Sequence, residues 1–198
     1  MTSTPTDPSS PSSPASSQAR GEPEAARLAD LRARVRDIPN FPKPGILFRD
    51  LTPLMGHGPS LKACVELLAE RVARHRPDVI VAVESRGFIF GAPVAVALGV
   101  GFAPVRKPGK LPWKTNQQTY DLEYGTDSLE MHADALRPGG RVVIVDDLLA
   151  TGGTAAATAA LVREQRGQVV AFSFVVELAA LGGRAKLPDA SIDALIQY

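Results

Sequence analysis

The residues best suited to chemistry are concentrated in one run, Val142-Val143-Ile144-Val145-Asp146-Asp147-Leu148-Leu149-Ala150-Thr151-Gly152-Gly153-Thr154. It reads as a strand, an acidic pair, a glycine-containing loop and the start of a helix. Gly152 and Gly153 let the backbone turn tightly. The amides from Ala150 to Thr154 then converge at the positive end of the following helix, where N–H groups and dipole together hold an anion. Thr151 and Thr154 add hydroxyl donors. Asp146 and Asp147 repel phosphate but accept hydrogen bonds from paired hydroxyls. The combination suits a phosphorylated ribose, with its hydroxyls at the acids and its 5′-phosphate in the loop. The Lys-Ser/Thr ending of a Walker loop is missing, as is the spacing of the dinucleotide fingerprint. An ordinary βα turn with two surface acids would account for Asp-Asp and Gly-Gly alone. It accounts less well for the whole run in this order between strand and helix.

Such a loop needs strands behind it. Short apolar runs at residues 78–83, 101–105, 141–145, 169–177 and 192–196 predict strands, and 88–98 and 154–165 predict the helices between them. Upstream, Leu28, Leu31 and Val35 form one apolar stripe on a charged helix that Pro39, Pro42, Pro44 and Gly45 stop. A second helix is expected with Ser60 as its N-cap and Leu61, Cys64, Val65, Leu68 and Val72 inside. Apolar runs without strict alternation, interleaved with helices, imply a mostly parallel sheet covered on both faces, an α/β domain. Ligands in such folds sit at the carboxyl ends of strands, here after Val83, Val105 and Val145.

Composition narrows the partners. The 198 residues carry 22 basic and 21 acidic side chains, a net charge of +1, so no global field favours nucleic acid or an anionic membrane. The single cysteine, Cys64, excludes an intramolecular disulfide and suits a reducing compartment. The apolar stretches are strand-sized, too short to span a membrane. Residues 1–20, rich in Ser, Pro and Thr, are expected to be a disordered tail, and residues 21–198 one domain. The tail lacks an apolar segment and any Lys or Arg before Arg20, against a secretory or transit signal, and a cytoplasmic location is expected. His57, His75 and His132 fit no metal spacing and are expected at the surface.

The run VVIVDDLLATGGT resembles the phosphoribosyl-pyrophosphate signature of type I phosphoribosyltransferases, and DDLLATGGT resembles their adenine-specific branch in particular. The similarity extends over nearly all of residues 28–198. It is carried also by FPKPGILFRD at 41–50, ESRGFIFG at 84–91, RKPGKLP at 106–112 and YDLEYG at 120–125. Four further motifs in the family's order are far more specific than any one alone. The resemblance implies the type I phosphoribosyltransferase fold, a mostly parallel central sheet flanked by helices, with a small N-terminal hood from about 38–55 and a flexible loop at about 106–120.

It also implies an activity: transfer of 5-phosphoribose from phosphoribosyl pyrophosphate to adenine, giving AMP and pyrophosphate, a purine salvage step. The runner-up is transfer to another purine base such as xanthine. A rival of a different kind is a non-catalytic regulator that senses phosphoribosyl pyrophosphate and binds nucleic acid, which predicts a basic appended domain, whereas the tail has no basic cluster and the total charge is near neutral.

Residue by residue, the resemblance assigns phosphoribosyl-pyrophosphate and AMP binding to Asp146, Asp147, Ala150, Thr151, Gly152, Gly153 and Thr154. It assigns pyrophosphate to Ser85, Arg86 and Gly87, and, on the flexible loop, to Arg106, Lys107 and Lys110. A plain solvated basic loop is the composition's own account of the latter three. Glu123 matches the catalytic glutamate, placed to accept or stabilise the proton that the attacking base must shed. Leu47, Phe48 and Arg49 match the segment that offers backbone contacts to adenine, with Phe48 and Leu148 flanking the ring. By composition alone Phe48 reads as core. Tyr120 and Tyr124 are expected to pack around Glu123. Trp113-Lys114 departs from the family's smaller or more polar loop tip. Mg²⁺ is expected through substrate oxygens, with at most help from Asp146 or Asp147 and no dedicated cage. A homodimer is expected.

Overall fold

The computed structural model describes Met1, residues 23–121 and residues 125–198. All but Met1 of the expected Ser/Pro/Thr tail, and Glu123 with its neighbours Leu122 and Tyr124, lie outside the described residues. The centre is a five-stranded sheet built from β3 (Val79–Val83), β4 (Gly101–Val105), β7 (Arg141–Leu149), β8 (Gln168–Glu177) and β9 (Ser191–Gln197). Its order is β4-β3-β7-β8-β9, and every pair is parallel. Helix α4 (Arg86–Leu98) connects β3 to β4, and α5 (Gly153–Glu164) connects β7 to β8.

The alternation of strand residues sorts the core into two layers. Ile80, Val143, Val145 and Ala171 pack with α1 (Glu24–Ala33), α3 (Gly58–Ala73) and α4 on one face. Val81, Val142, Ile144 and Phe172 pack on the other face with α5 and the strand β6 (Thr126–His132). Because both faces are covered, the strands read as continuous apolar runs rather than alternating ones. Ahead of the sheet, β1 (Arg36–Pro39) and β2 (Leu47–Asp50) form an antiparallel hairpin followed by the short α2 (Thr52–Met55), in the stretch expected as a hood. No helix among the described residues is long and apolar enough to cross a membrane.

Three local expectations change. Residues 106–120 were expected as loop, yet β5 occupies Thr115–Asp121, paired antiparallel with β6. The pairing partner stabilises it, since Leu129 and Met131 of β6 are fully buried while β5 itself is polar. The N-cap of α3 is His57, whose ring accepts from the Ser60 amide at 3.3 Å, so the helix begins before Ser60, with Pro59 in its first turn. Nor are the histidines simple surface residues: all three are half-buried, His75 faces Asp193 at 3.1 Å, and His132 has a buried ring nitrogen.

Candidate active site

A cleft of about 420 Å³ opens at the carboxyl ends of β3 and β7. Val83, Glu84, Ser85 and Arg86 line one wall, and residues Asp146 to Ala155 line the floor and the other wall. All seven residues expected to hold the ribose phosphate are therefore in one place. Strand β7 runs straight into the loop, and α5 starts at Gly153, so the first amides of the helix face the cleft without intrahelical acceptors. Gly152 adopts the left-handed conformation, φ +79°, which a side chain would strain.

The loop has a support that sequence reasoning missed. After β8 the chain makes two short 3₁₀ turns, Ala179–Leu181 and Gly183–Lys186. Here Gly183 packs directly on the Ala150–Thr154 loop. A methyl group at Gly183 would overlap the Ala150 carbonyl oxygen and stand 3.1 Å from the Gly152 nitrogen. A methyl at Gly152 would overlap the Gly183 carbonyl oxygen in return. Arg184 fixes this segment through a two-pronged ion pair with the buried Glu177, at 2.6 and 2.7 Å. Leu178 N–H adds a bond to the Leu149 carbonyl at 2.9 Å. The only signal in sequence was the Gly182-Gly183 pair.

The two acids have different surroundings. Asp147 is buried and receives Arg86 Nε on Oδ2 at 2.6 Å. Asp146 accepts the Asp147 amide at 2.9 Å. Removal from solvent, and then the neighbouring Asp147 carboxylate, push the Asp146 carboxyl well above the usual carboxylate range. Gly87, in the first turn of α4, makes the closeness of the two loops feasible. A methyl there would stand 2.7 Å from Asp146 Oδ1 and 3.2 Å from the Val145 carbonyl oxygen.

Of the four basic residues assigned to pyrophosphate, Arg86 lines the cleft, and Arg106, Lys107 and Lys110 lie just outside this lining. Arg106 Nε donates to Glu84 Oε2 at 2.6 Å and Lys110 Nζ to Glu84 Oε1 at 2.8 Å. Lys107 Nζ pairs with Asp127 on β6. The loop they sit on is anchored at its base, where Arg106 and Glu130 exchange backbone hydrogen bonds at 2.9 and 2.7 Å. Glu84 lines the cleft yet was not singled out from sequence; an acid directly after a buried strand was the available signal. Burial would raise its pKa, but hydrogen bonds from Lys110 and Arg106 outweigh that and hold it below the usual glutamate range. The clamp is thus complete above that range and loosens as pH falls through the depressed value. Glu84→Gln is expected to free both cations and bind inorganic pyrophosphate several-fold more tightly, about 1 kcal/mol for partly exposed pairs. Titration calorimetry showing weaker binding would mean that Glu84 holds the cations in place rather than in reserve.

Of the residues assigned to the base, Leu148 lines the cleft, whereas Leu47, Phe48 and Arg49 sit on β2 outside its lining. The Phe48 ring meets Phe41 edge to face with centroids 5.1 Å apart. Arg49 pairs with Asp37 and lies 3.8 Å over the Tyr198 ring, so its side chain ties the hairpin to the chain's last residue. Among the described residues, no group of three or more His, Cys, Asp or Glu side chains is placed to hold a metal.

This geometry has known counterparts. The phosphoribosyl transferase domain family matches residues 54–194. The adenine phosphoribosyltransferase of Acaryochloris marina is 56% identical over 169 residues, covering 85% of this chain and 99% of that protein. That of Desulfitobacterium hafniense is 54% identical over 169 residues, covering 85% and 98%. The crystal structure of adenine phosphoribosyltransferase from Thermoanaerobacter pseudethanolicus superimposes with a TM-score of 0.84 at 51% identity, over 86% of this chain and 99% of that one. The Saccharomyces cerevisiae enzyme, complexed with D-2,5-dideoxy-2,5-imino-altritol 1,6-bisphosphate and adenine, gives a TM-score of 0.81 at 42% identity, over 86% and 99%. A parallel sheet with an acid-and-amide cradle at its carboxyl edge defines a protein that handles sugar phosphates, and the chain belongs to the phosphoribosyltransferase family, in its adenine phosphoribosyltransferase branch.

Proposed function

We propose that this chain catalyses the condensation of adenine with phosphoribosyl pyrophosphate, forming AMP and pyrophosphate. The observation that carries the reading is the single cleft in which Asp146, Asp147 and the Ala150–Thr154 loop face Ser85 and Arg86. In the reaction the bond from the anomeric carbon to pyrophosphate breaks, the bond to adenine N9 forms, and the N9 proton leaves. The phosphate loop holds the 5′-phosphate, and Asp146 and Asp147 accept from the ribose hydroxyls. Ser85, Arg86 and Gly87 face the departing pyrophosphate. Arg106, Lys107 and Lys110 add positive charge where negative charge gathers, which favours the transition state over the ground state. Glu123, carried over from the family motif, takes the proton.

The donor set fits Mg²⁺ held mainly by substrate oxygens: of the three carboxylates lining the cleft, Glu84 is taken by Arg106 and Lys110 and Asp147 Oδ2 by Arg86, which leaves Asp146 and the other Asp147 oxygen to assist. When bound, the ion neutralises charge on the pyrophosphate. The Leu47–Arg49 backbone discriminates the base, since adenine offers an N6 donor beside an N1 acceptor whereas hypoxanthine and guanine reverse both. Cytoplasmic residence and a homodimer complete the proposal; near-neutral charge and the single, buried Cys64 are compatible with the former.

A chromatographic assay across adenine, hypoxanthine, guanine, xanthine and orotate, with and without Mg²⁺, tests it. AMP formed from adenine in the presence of Mg²⁺ is the expected result. Product from xanthine but not adenine would move the chain to the runner-up activity, and no product from any base would leave it a sensor.

A further inference from the structure

The hydrogen bonds between the basic loop and the phosphate loop form an unbroken chain. Lys107 Nζ and the Tyr120 hydroxyl both donate to Asp127 Oδ2, the latter at 3.1 Å. The Tyr120 hydroxyl oxygen also stands 3.3 Å from Thr154 Oγ1. Directionality follows from proton counting. Asp127 carries the Lys107 cation and the Ser128 amide, at 2.8 Å, and acts only as an acceptor. The single phenolic proton of Tyr120 therefore goes to Asp127, and Thr154 must donate its own proton to the Tyr120 oxygen. That threonine proton is the one a phosphate in the loop would recruit.

We infer that Tyr120 and Asp127 are positioning residues that couple occupancy of the phosphate loop to the placement of Lys107 on the basic loop. Phosphate withdraws the Thr154 proton from Tyr120. The phenol, no longer held from that side, can follow Asp127, and Lys107 moves with the carboxylate that grips it. A cation meant for the leaving pyrophosphate thus becomes free to shift, still paired with Asp127, only when a 5′-phosphate is in place. The inference rests on the proposed function, because the occupant of the loop is taken to be a ribose 5-phosphate group.

The protein carries its own reporter. Trp113 is the only tryptophan, lies on the basic loop and is 63% exposed. Ribose 5-phosphate, which lacks the pyrophosphate, is expected to change Trp113 emission in the wild-type protein. In Tyr120→Phe, which deletes only the hydroxyl, calorimetry should still record ribose 5-phosphate binding while the emission stays flat. Turnover in that variant should fall about tenfold with KM for phosphoribosyl pyrophosphate nearly unchanged, within the usual range of coupling factors. Asp127→Asn should behave likewise. A full emission change in Tyr120→Phe at saturating ligand, or none in the wild type despite binding, would overturn the coupling. If calorimetry finds no binding of ribose 5-phosphate to the wild-type protein, the proposed function itself fails and the coupling with it.

Discussion

Gly183→Ala is expected to weaken ribose 5-phosphate binding on the order of a hundredfold, the equivalent of one or two charge-assisted hydrogen bonds at ~1.5–3 kcal/mol each. The added methyl would overlap the backbone carbonyl of Ala150, and neither atom belongs to a flexible side chain that could swing away. The segment cannot retreat easily, because Arg184 is bound to Glu177 and Leu178 to Leu149. The phosphate loop must move instead, and amides aimed at one point lose their convergence. Gly152→Ala should do at least as much damage, since it meets the Gly183 carbonyl from the other side and adds left-handed strain at φ +79°. Gly182→Ala is the control. Gly182 is also left-handed, φ +63°, but has nothing near its missing methyl. It should therefore cost ~1–2 kcal/mol of stability and leave affinity alone. Calorimetry and thermal melts on the three variants separate the effects. Wild-type affinity in a folded Gly183→Ala protein would show that the contact does not shape the loop.

That pair of glycines also marks the limit of what the sequence makes legible. The phosphate cradle could be read because its parts are contiguous: strand, acids, loop and helix follow one another, and local propensity suffices to arrange them. The buried strands were legible for a related reason, since coverage on both faces leaves an uninterrupted apolar run such as Val142 to Val145. Gly183 touches the same cradle from thirty-odd residues away, and no local pattern records that contact. Strand β5 shows the same difficulty. Its sequence, TNQQTYD, has no apolar face, and it becomes a strand because β6 pairs with it along its whole length. The charged residues were recognisable as a group, but their partners were not. Nothing in the spacing of Glu84, Arg106 and Lys110, or of Lys107 and Asp127, says which acid neutralises which base.

Asp146→Asn should raise the melting temperature of the unliganded protein at neutral pH while weakening its hold on phosphoribosyl pyrophosphate by roughly ten- to a hundredfold. The two effects have one origin. Burial and the adjacent Asp147 carboxylate raise the Asp146 pKa, so the folded protein binds that proton more tightly than the unfolded chain does. The stabilisation belongs to the protonated form: it is complete below the ordinary carboxylate range and is lost as pH rises through the raised value. At neutral pH, above the ordinary carboxylate range, the group is therefore a cost to the fold in either protonation state, and asparagine removes it. Ligand binding runs the other way, because ribose hydroxyls are accepted best by the carboxylate. Affinity should fall as pH drops through the raised Asp146 pKa, and calorimetry in buffers of different ionisation enthalpy should record proton release on binding there. The ligand's own phosphate also titrates, so the decisive quantity is the difference between wild type and variant, in which the phosphate contribution cancels. Asp147→Asn offers the contrast: Asp147 already has Arg86 as partner, so its replacement breaks an ion pair and should not stabilise the protein. If Asp146→Asn melts lower than wild type and binds the substrate equally well, Asp146 is a structural acid and the ribose must be held elsewhere.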